Sequence, residues 1–333
     1  MVAMGDAHGA PGARTGGTPP EVSPALVERQ LLTWAEALAL VDGPEERANL
    51  SGMGLHHYAL AVVSRRELEP VALVAQFAAL VCLLDDAFDR PGVQADEVAA
   101  LAGGLRAVLD GTAEQGRGPF EHALNDLVTR VGGEADGSWL TRFTAGFADL
   151  LDACVEEVRV RANGEVLALG ARMALRRRTS AVVPALHILE AAEGIRLPGA
   201  VETLDAAGDM HRALADAIGF ANDLFSVGRD RALGHPNLVE ALAAEGDGCL
   251  RTARERLREM CARRLDNFDA AAGKLVREGA LPPADRAEAE RYVTAARRFA
   301  ATARSLPELG RYRDTDPARE AGTTPNGERD AAL

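Results

Sequence analysis

The sequence predicts an all-α fold, and three observations point there. Alanine, leucine, arginine and glutamate dominate, residues that lose little on entering a helix. Apolar positions recur at helical rather than alternating spacing. Aromatics are only 4% of the 333 residues, and no stretch reads as a strand or hairpin. Hydrophobic residues make up 47%, enough for one sizeable core. No internal repeat stands out, so the expected architecture is a single bundle-like domain around a central cavity.

The elements follow in order. Residues 1–22 are rich in Gly, Pro, Ala and Thr without periodicity and read as a disordered tail. Residues 315–333 read the same way, leaving 23–314 as the folded body. Ser23 before Pro24 suits a helix start, with serine as cap and proline in the first turn. That helix is expected over 24–41. Gly52 and Gly54 break the chain, and a short helix covers 57–63. Pro70 opens a strongly apolar helix that runs to Phe88 and stops at Arg90-Pro91-Gly92. Further helices are expected over 95–110, 118–132, 137–162, 165–192, 199–227, 236–244, 247–278 and 284–304.

Charge and cysteine content exclude several classes. The net charge of −13 argues against a nucleic-acid binder, which needs a basic stripe to displace counterions. No basic region precedes an apolar run at the N-terminus. The longest apolar stretch, 71–84, is too short to span a bilayer and ends in two aspartates. No membrane span is therefore expected. Cys82, Cys154, Cys249 and Cys261 have neither CxxC nor zinc-finger spacing and read as reduced, buried thiols of a cytoplasmic protein.

Two motifs carry chemistry. Asp85-Asp86-Ala87-Phe88-Asp89 ends the most apolar helix. Asp85 and Asp89 are four apart and share a face. Carboxylates at a helix C-terminus oppose the dipole, and beside a buried helix they are costly without compensation. Magnesium would resolve both problems, being held by one or two carboxylates, waters and substrate phosphates. A solvated acidic helix end is the plain alternative. Downstream, Asn222, Ser226 and Asp230 stand at i, i+4 and i+8, an oxygen-bearing line on one helix. Arg229 beside them offers a fixed charge and planar donors for phosphate. An ordinary polar helix end is the alternative here.

Together these residues resemble the bacterial class I terpene synthase family. That family carries an aspartate-rich DDxxD motif and, well downstream, (N/D)Dxx(S/T)xx(K/R)(D/E). Residues 222–230 match every specified position of the second pattern, and Asp85, Asp86 and Asp89 match the first. The resemblance covers roughly residues 25–315. It implies an enzyme that ionises a prenyl diphosphate and cyclises the resulting cation. Three magnesium ions are implied: two at Asp85 with Asp86 or Asp89, one at Asn222, Ser226 and Asp230. A diphosphate-sensing arginine upstream of the second motif points to Arg176, in the run Arg176-Arg177-Arg178-Thr179-Ser180. An Arg-Tyr pair near the C-terminus is matched by Arg311-Tyr312. A homodimer is implied as well.

One departure stands out. In the family, a linker and an effector, often glycine, follow the sensor by three and four residues where the helix breaks. From Arg176 these are Thr179 and Ser180; from Arg177 they are Ser180 and Ala181. Neither register offers glycine.

The cavity wall should be apolar, with aromatic faces able to stabilise cations. The candidates are Phe77, Phe88, Phe143, Phe147, Phe220 and Trp139, with Phe77 favoured and core packing expected for most of the rest. Small residues at Ala78, Ala79, Cys82, Ala215 and Gly219 suggest a deep pocket. This leans towards C20 geranylgeranyl diphosphate, linear or as a preformed bicycle, with C15 farnesyl diphosphate close behind. Two rivals remain. A chain-elongating prenyl transferase would need a second DDxxD, and the sequence has one. A non-catalytic scaffold on the same fold would not need all the metal positions that are present.

Overall fold

The computed structural model describes residues 22–112, 118–132, 137–277 and 281–302. The expected tails lie outside these residues, apart from Val22, as do Arg311 and Tyr312. The described residues form helices and no strand. In order these are α1 (Pro24–Ala37), α2 (Pro44–Gly52), α3 (Leu55–Val62), α4 (Leu68–Phe88), α5 (Ala95–Leu109), α6 (Pro119–Gly132) and α7 (Gly137–Ala162). They continue as α8 (Leu169–Thr179), α9 (Val182–Ala192), α10 (Gly199–Glu202), α11 (Asp205–Leu233), α12 (Leu238–Glu245), α13 (Leu250–Arg277) and α14 (Pro283–Ala301).

α1 starts as expected, with the Ser23 hydroxyl accepting from the Leu26 N–H. It ends four residues early because the chain turns at Ala39, whose φ is +54°. α2 was not foreseen, although Pro44 in its first turn and Glu45 and Glu46 beside it are ordinary start signals. The expected helix over 165–192 is two helices. The chain breaks at Ser180 and Ala181, and Ala181 adopts the left-handed conformation (φ +56°, ψ +13°). The expected helix over 199–227 is also two, and α11 runs six residues further than the pattern suggested. It therefore carries the whole second motif. Gly234 stops it in the left-handed region (φ +70°), with the His235 N–H donating to the Asp230 carbonyl (2.7 Å).

α4 is the central helix. At 21 residues it is long and apolar enough to cross a membrane, so its length alone does not exclude a span. It lies against α1, α3, α6 and α9, and Val71, Ala75, Ala79 and Leu80 are fully buried, as in the core helix of a bundle. Phe77 meets Phe143 and Phe147 of α7 edge-on, at 6.1 and 6.2 Å between ring centroids, and Trp139 stacks on Phe143. The four cysteines form no disulfide and are half-buried rather than buried.

A polar cluster ties α9 to α7 and α10. Arg142 of α7 donates to Glu190 (2.6 Å) and pairs with Glu202 of α10. His187 sits between the same carboxylates, 3.5 Å from each. Its carbonyl accepts from Trp139 Nε1 (2.8 Å). Glu190 also accepts the Leu197 N–H (3.2 Å). Every carboxylate in this buried cluster faces a cation or an N–H, as a stable buried ion group requires.

Candidate active site

A cavity of about 230 Å³ opens between α3, α4, α7, α8, α9, α11 and α14. α4 delivers Asp85 and Asp89 to it, and α11 delivers Asn222, Asp223, Arg229 and Asp230. Both motifs thus meet at one cavity. Asp86 is exposed and does not line it. Ser226 is buried and reaches the site through Asp230, donating to Oδ2 at 2.6 Å. Asn237 Nδ2 donates to the same oxygen (2.8 Å).

Asp89 caps α4 and turns to Arg161 of α7, whose Nη1 lies 2.9 Å from Oδ1. Arg161 Nη2 also donates to the Phe88 carbonyl (2.9 Å), offsetting the negative end of α4. His235 Nδ1 lies 3.4 Å from Asp89 Oδ2. Burial alone would raise the Asp89 carboxyl, but His235 and Arg161 hold it below the usual range.

Of the three consecutive arginines, Arg176 lines the cavity. It donates to Asp223 (2.7 Å), which also accepts the Leu238 N–H (2.9 Å). Burial opposes its charge, yet Asp223 and Glu157 more than restore it, so its affinity for the proton rises. Arg177 turns away to buried Asp216 (2.7 and 3.0 Å), which Arg264 also holds (2.8 Å). Arg178 pairs with Asp149 and Glu156 of α7. Gly219 lets α11 approach α8 closely: a Cβ there would lie 3.3 Å from Arg176 Cγ.

The helix break does not follow a single register. The cavity-facing arginine is Arg176, for which Ser180 is the fourth residue on. The left-handed residue is Ala181, the fourth after Arg177. Ser180 and Ala181 both line the cavity, and the Ser180 hydroxyl donates to the Arg177 carbonyl (2.7 Å).

Glu157 of α7 escaped the sequence reading. It lines the cavity, and its carboxyl is pushed up to about 7, first by burial and then by Asp85, Asp89 and Asp223, against the pull of Arg176. Glu157 and Arg161 are four apart on a helix, and a charged pair at that spacing usually marks a solvated face. His235 escaped too, lying just past the motif. Of the aromatic candidates, Phe77 and Phe88 line the cavity, while Phe143, Phe147, Phe220 and Trp139 are core. Of the small residues, Ala78, Cys82 and Gly219 line it, while Ala79 and Ala215 are buried in the core.

The rim suits a hard cation and an anionic ligand. Five carboxylates line the cavity (Asp85, Asp89, Glu157, Asp223 and Asp230) against three guanidiniums, an excess of negative charge that a cation would balance. The motif donors are an amide, a hydroxyl and carboxylates, all oxygen donors of the kind magnesium takes. The Cys154 thiol, also lining the cavity, is raised by burial and stays protonated, so it does not compete. Arg229 Nε is buried, 3.5 Å from Asp230, and makes no hydrogen bond among the described residues. It has a donor to give to an incoming oxyanion.

Comparison with known proteins agrees with this arrangement. A family model described as terpene synthase family 2, C-terminal metal binding, matches residues 76–267, more than half of the chain. The chain is 27% identical to the (-)-delta-cadinene synthase of Streptomyces clavuligerus, over 72% of this chain and 75% of that enzyme. It is 28% identical to the (2Z,6E)-hedycaryol synthase of Kitasatospora setae, over 69% and 70%. Among solved structures, an a-eudesmol synthase superposes with a TM-score of 0.77 at 22% identity, covering 90% of this chain and 98% of that one. The linalool/nerolidol synthase of Streptomyces clavuligerus gives 0.78 at 24% identity, covering 86% and 98%. With two motifs meeting at one acid-lined cavity in an all-helical fold, the chain belongs to terpene synthase family 2 and is a class I terpene cyclase.

Proposed function

We propose that the enzyme ionises farnesyl diphosphate with magnesium and closes the C15 cation into a ring. A relative from Streptomyces viridochromogenes, 27% identical over 71% of both chains, is named a 7-epi-alpha-eudesmol synthase that cyclises (2E,6E)-farnesyl diphosphate. The lean towards a C20 substrate loses two of its five residues, because Ala79 and Ala215 pack in the core and do not deepen the pocket. The observation that carries the reading is that Asp85, Asn222, Asp230 and Arg229 line one cavity together with apolar residues such as Val74, Phe77, Ala78 and Leu189.

Magnesium would be held by Asp85, with Asp86 or Asp89, and by Asn222, Ser226 and Asp230, three ions in all. When bound, it supplies positive charge against the departing diphosphate. Arg229 and Arg176 donate to diphosphate oxygens where negative charge develops. Arg176 gives up part of its bond to Asp223 to do so. Arg311 and Tyr312 would add donors from beyond the described residues. Phe77 and Phe88 present ring faces to the cation left behind. The apolar wall keeps bulk water from quenching it before rings close. Ser180 and Ala181, at the helix break, bring backbone to the cavity where the effector acts.

The test is direct. Purified protein is incubated with geranyl, farnesyl and geranylgeranyl diphosphate, with and without magnesium, and extracts are read by gas chromatography–mass spectrometry. Cyclic C15 product only with magnesium is expected. Cyclic C20 product in its place would restore the deep-pocket reading. Longer linear diphosphates formed with added isopentenyl diphosphate would replace it with chain elongation.

A further inference from the structure

One cavity hydroxyl differs from the rest. Four hydroxyl side chains line the cavity: Tyr58, Thr179, Ser180 and Thr302. Three are committed to carbonyls of their own helix turns. Thr179 bonds the Arg176 carbonyl (3.4 Å), Ser180 that of Arg177 (2.7 Å) and Thr302 that of Phe299 (2.6 Å). Tyr58 makes no hydrogen bond among the described residues. Its ring is fixed edge-on against Phe299, 6.3 Å between centroids at 72°. Its phenol is held neutral, raised first by burial and then by nearby Cys82. Tyr58 is half-buried and lines the cavity. A phenol hydroxyl at a cavity wall with no partner from the protein can both accept from and donate to a molecule inside the cavity. A single water is the smallest molecule that can take that place.

We propose that Tyr58 is the positioning residue for a water that ends the reaction, so that the product is an alcohol. This rests on the cyclase reading above and names its last step. The phenol oxygen accepts one hydrogen of the water, leaving the water's lone pair directed at the cation. That pair forms the C–O bond. The oxonium then releases one proton, which leaves on the diphosphate freed at ionisation. The balance is prenyl diphosphate plus water giving alcohol plus hydrogen diphosphate. No oxidant or further reactant is needed, and Tyr58 stays neutral throughout.

The experiment uses the full chain with farnesyl diphosphate and magnesium in H₂¹⁸O, read by gas chromatography–mass spectrometry. The unaltered enzyme is expected to give an alcohol carrying one ¹⁸O. Tyr58→Phe keeps the ring and removes the hydroxyl. Its alcohol share, relative to hydrocarbon among the products made, should fall at least about fivefold, as when a site built to hydrogen-bond loses its partner. Thr302→Val, which removes a hydroxyl already committed to a carbonyl, should keep the alcohol share. Hydrocarbon alone from the unaltered enzyme would overturn this inference and leave the cyclase reading standing. An unchanged alcohol share in Tyr58→Phe, or an equal fall in Thr302→Val, would also overturn it. So would a Tyr58→Phe protein that is folded by circular dichroism but makes no product, because holding a water is not needed for ionisation. No turnover of any prenyl diphosphate by the unaltered enzyme would remove both readings.

Discussion

The molecule buries two polar clusters, and they are built to opposite ends. In the cluster of Arg142, His187, Glu190 and Glu202, each carboxylate is matched by a neighbouring cation or N–H. At the cavity rim, carboxylates outnumber guanidiniums, Glu157 is pushed up to about 7, and Arg229 Nε has no hydrogen bond among the described residues. The first cluster pairs its charges within the chain, although Arg142 Nε and Glu202 Oε2 meet as an ion pair without hydrogen-bond geometry. The second is short of positive charge on one side and has an unused donor on the other. Charge left unbalanced in a cleft is where ligands complete a structure. Substitutions in the first should therefore damage stability, and substitutions in the second should damage turnover.

The largest expected effect is at the rim. Asp85→Ala and Asn222→Ala should each lower kcat by more than about 100-fold, the order seen when a group stabilising a leaving charge is removed. Helicity by circular dichroism should not change. Retained turnover in either would place the metal elsewhere. Next comes Glu190→Ala in the balanced cluster, which leaves Arg142 with Glu202 as its one carboxylate and takes the acceptor from the buried Leu197 N–H. It should cost about 3–5 kcal/mol in urea unfolding, while kcat measured well below its melting temperature stays close to that of the unaltered chain. A large fall in kcat there would erase the contrast between the clusters.

Glu157 sharpens the contrast through pH. Its folded value, about 7, lies above its usual 4.5, so the folded chain holds this proton more tightly than the unfolded one. Stability therefore falls as pH rises through that window, and the loss is complete above it. Glu157→Gln should raise the stability of the metal-free protein at pH 8 by up to about 3 kcal/mol, with little change at pH 4. Equal urea midpoints at pH 8 would mean that Glu157 ionises without penalty. The smallest effect is expected at the helix break. Glycine at position 181 relieves a left-handed alanine but frees the unfolded chain, and the two nearly cancel. Ala181→Gly should therefore gain about 0.5 kcal/mol. A clear loss would mean that the Ala181 methyl packs against the cavity wall.

The sequence made some of this plain and hid the rest for physical reasons. α4 and α7 were readable because long apolar periodicity fixes a helix almost regardless of context. The second motif was readable because i, i+4, i+8 spacing places its donors on one line. The break at Ala181 was readable only through the family resemblance, since alanine favours helix and no residue there signals a positive φ. Choosing between Arg176 and Arg177 needed the phase of α8 against α11, which neighbouring arginines alone do not give. Glu157 and Arg161 were hidden because a charged pair on a helix means solvent until another helix covers it.

Three adjacent arginines hold α8, and each reaches a different anchor: Arg176 to Asp223, Arg177 to Asp216, and Arg178 to Asp149 and Glu156. In evolutionary terms this separates heritable risk. A lineage can lose half-buried Arg178 and still keep the helix docked by the other two, so drift on that face is tolerated. The segment beyond, from Ser180 into α9, is tied down independently by Glu190 and His187. Cavity-facing positions on either side of the break can therefore be sampled separately, and the joint between two separately moored helices becomes a place where new product outcomes arise without first unmaking the fold.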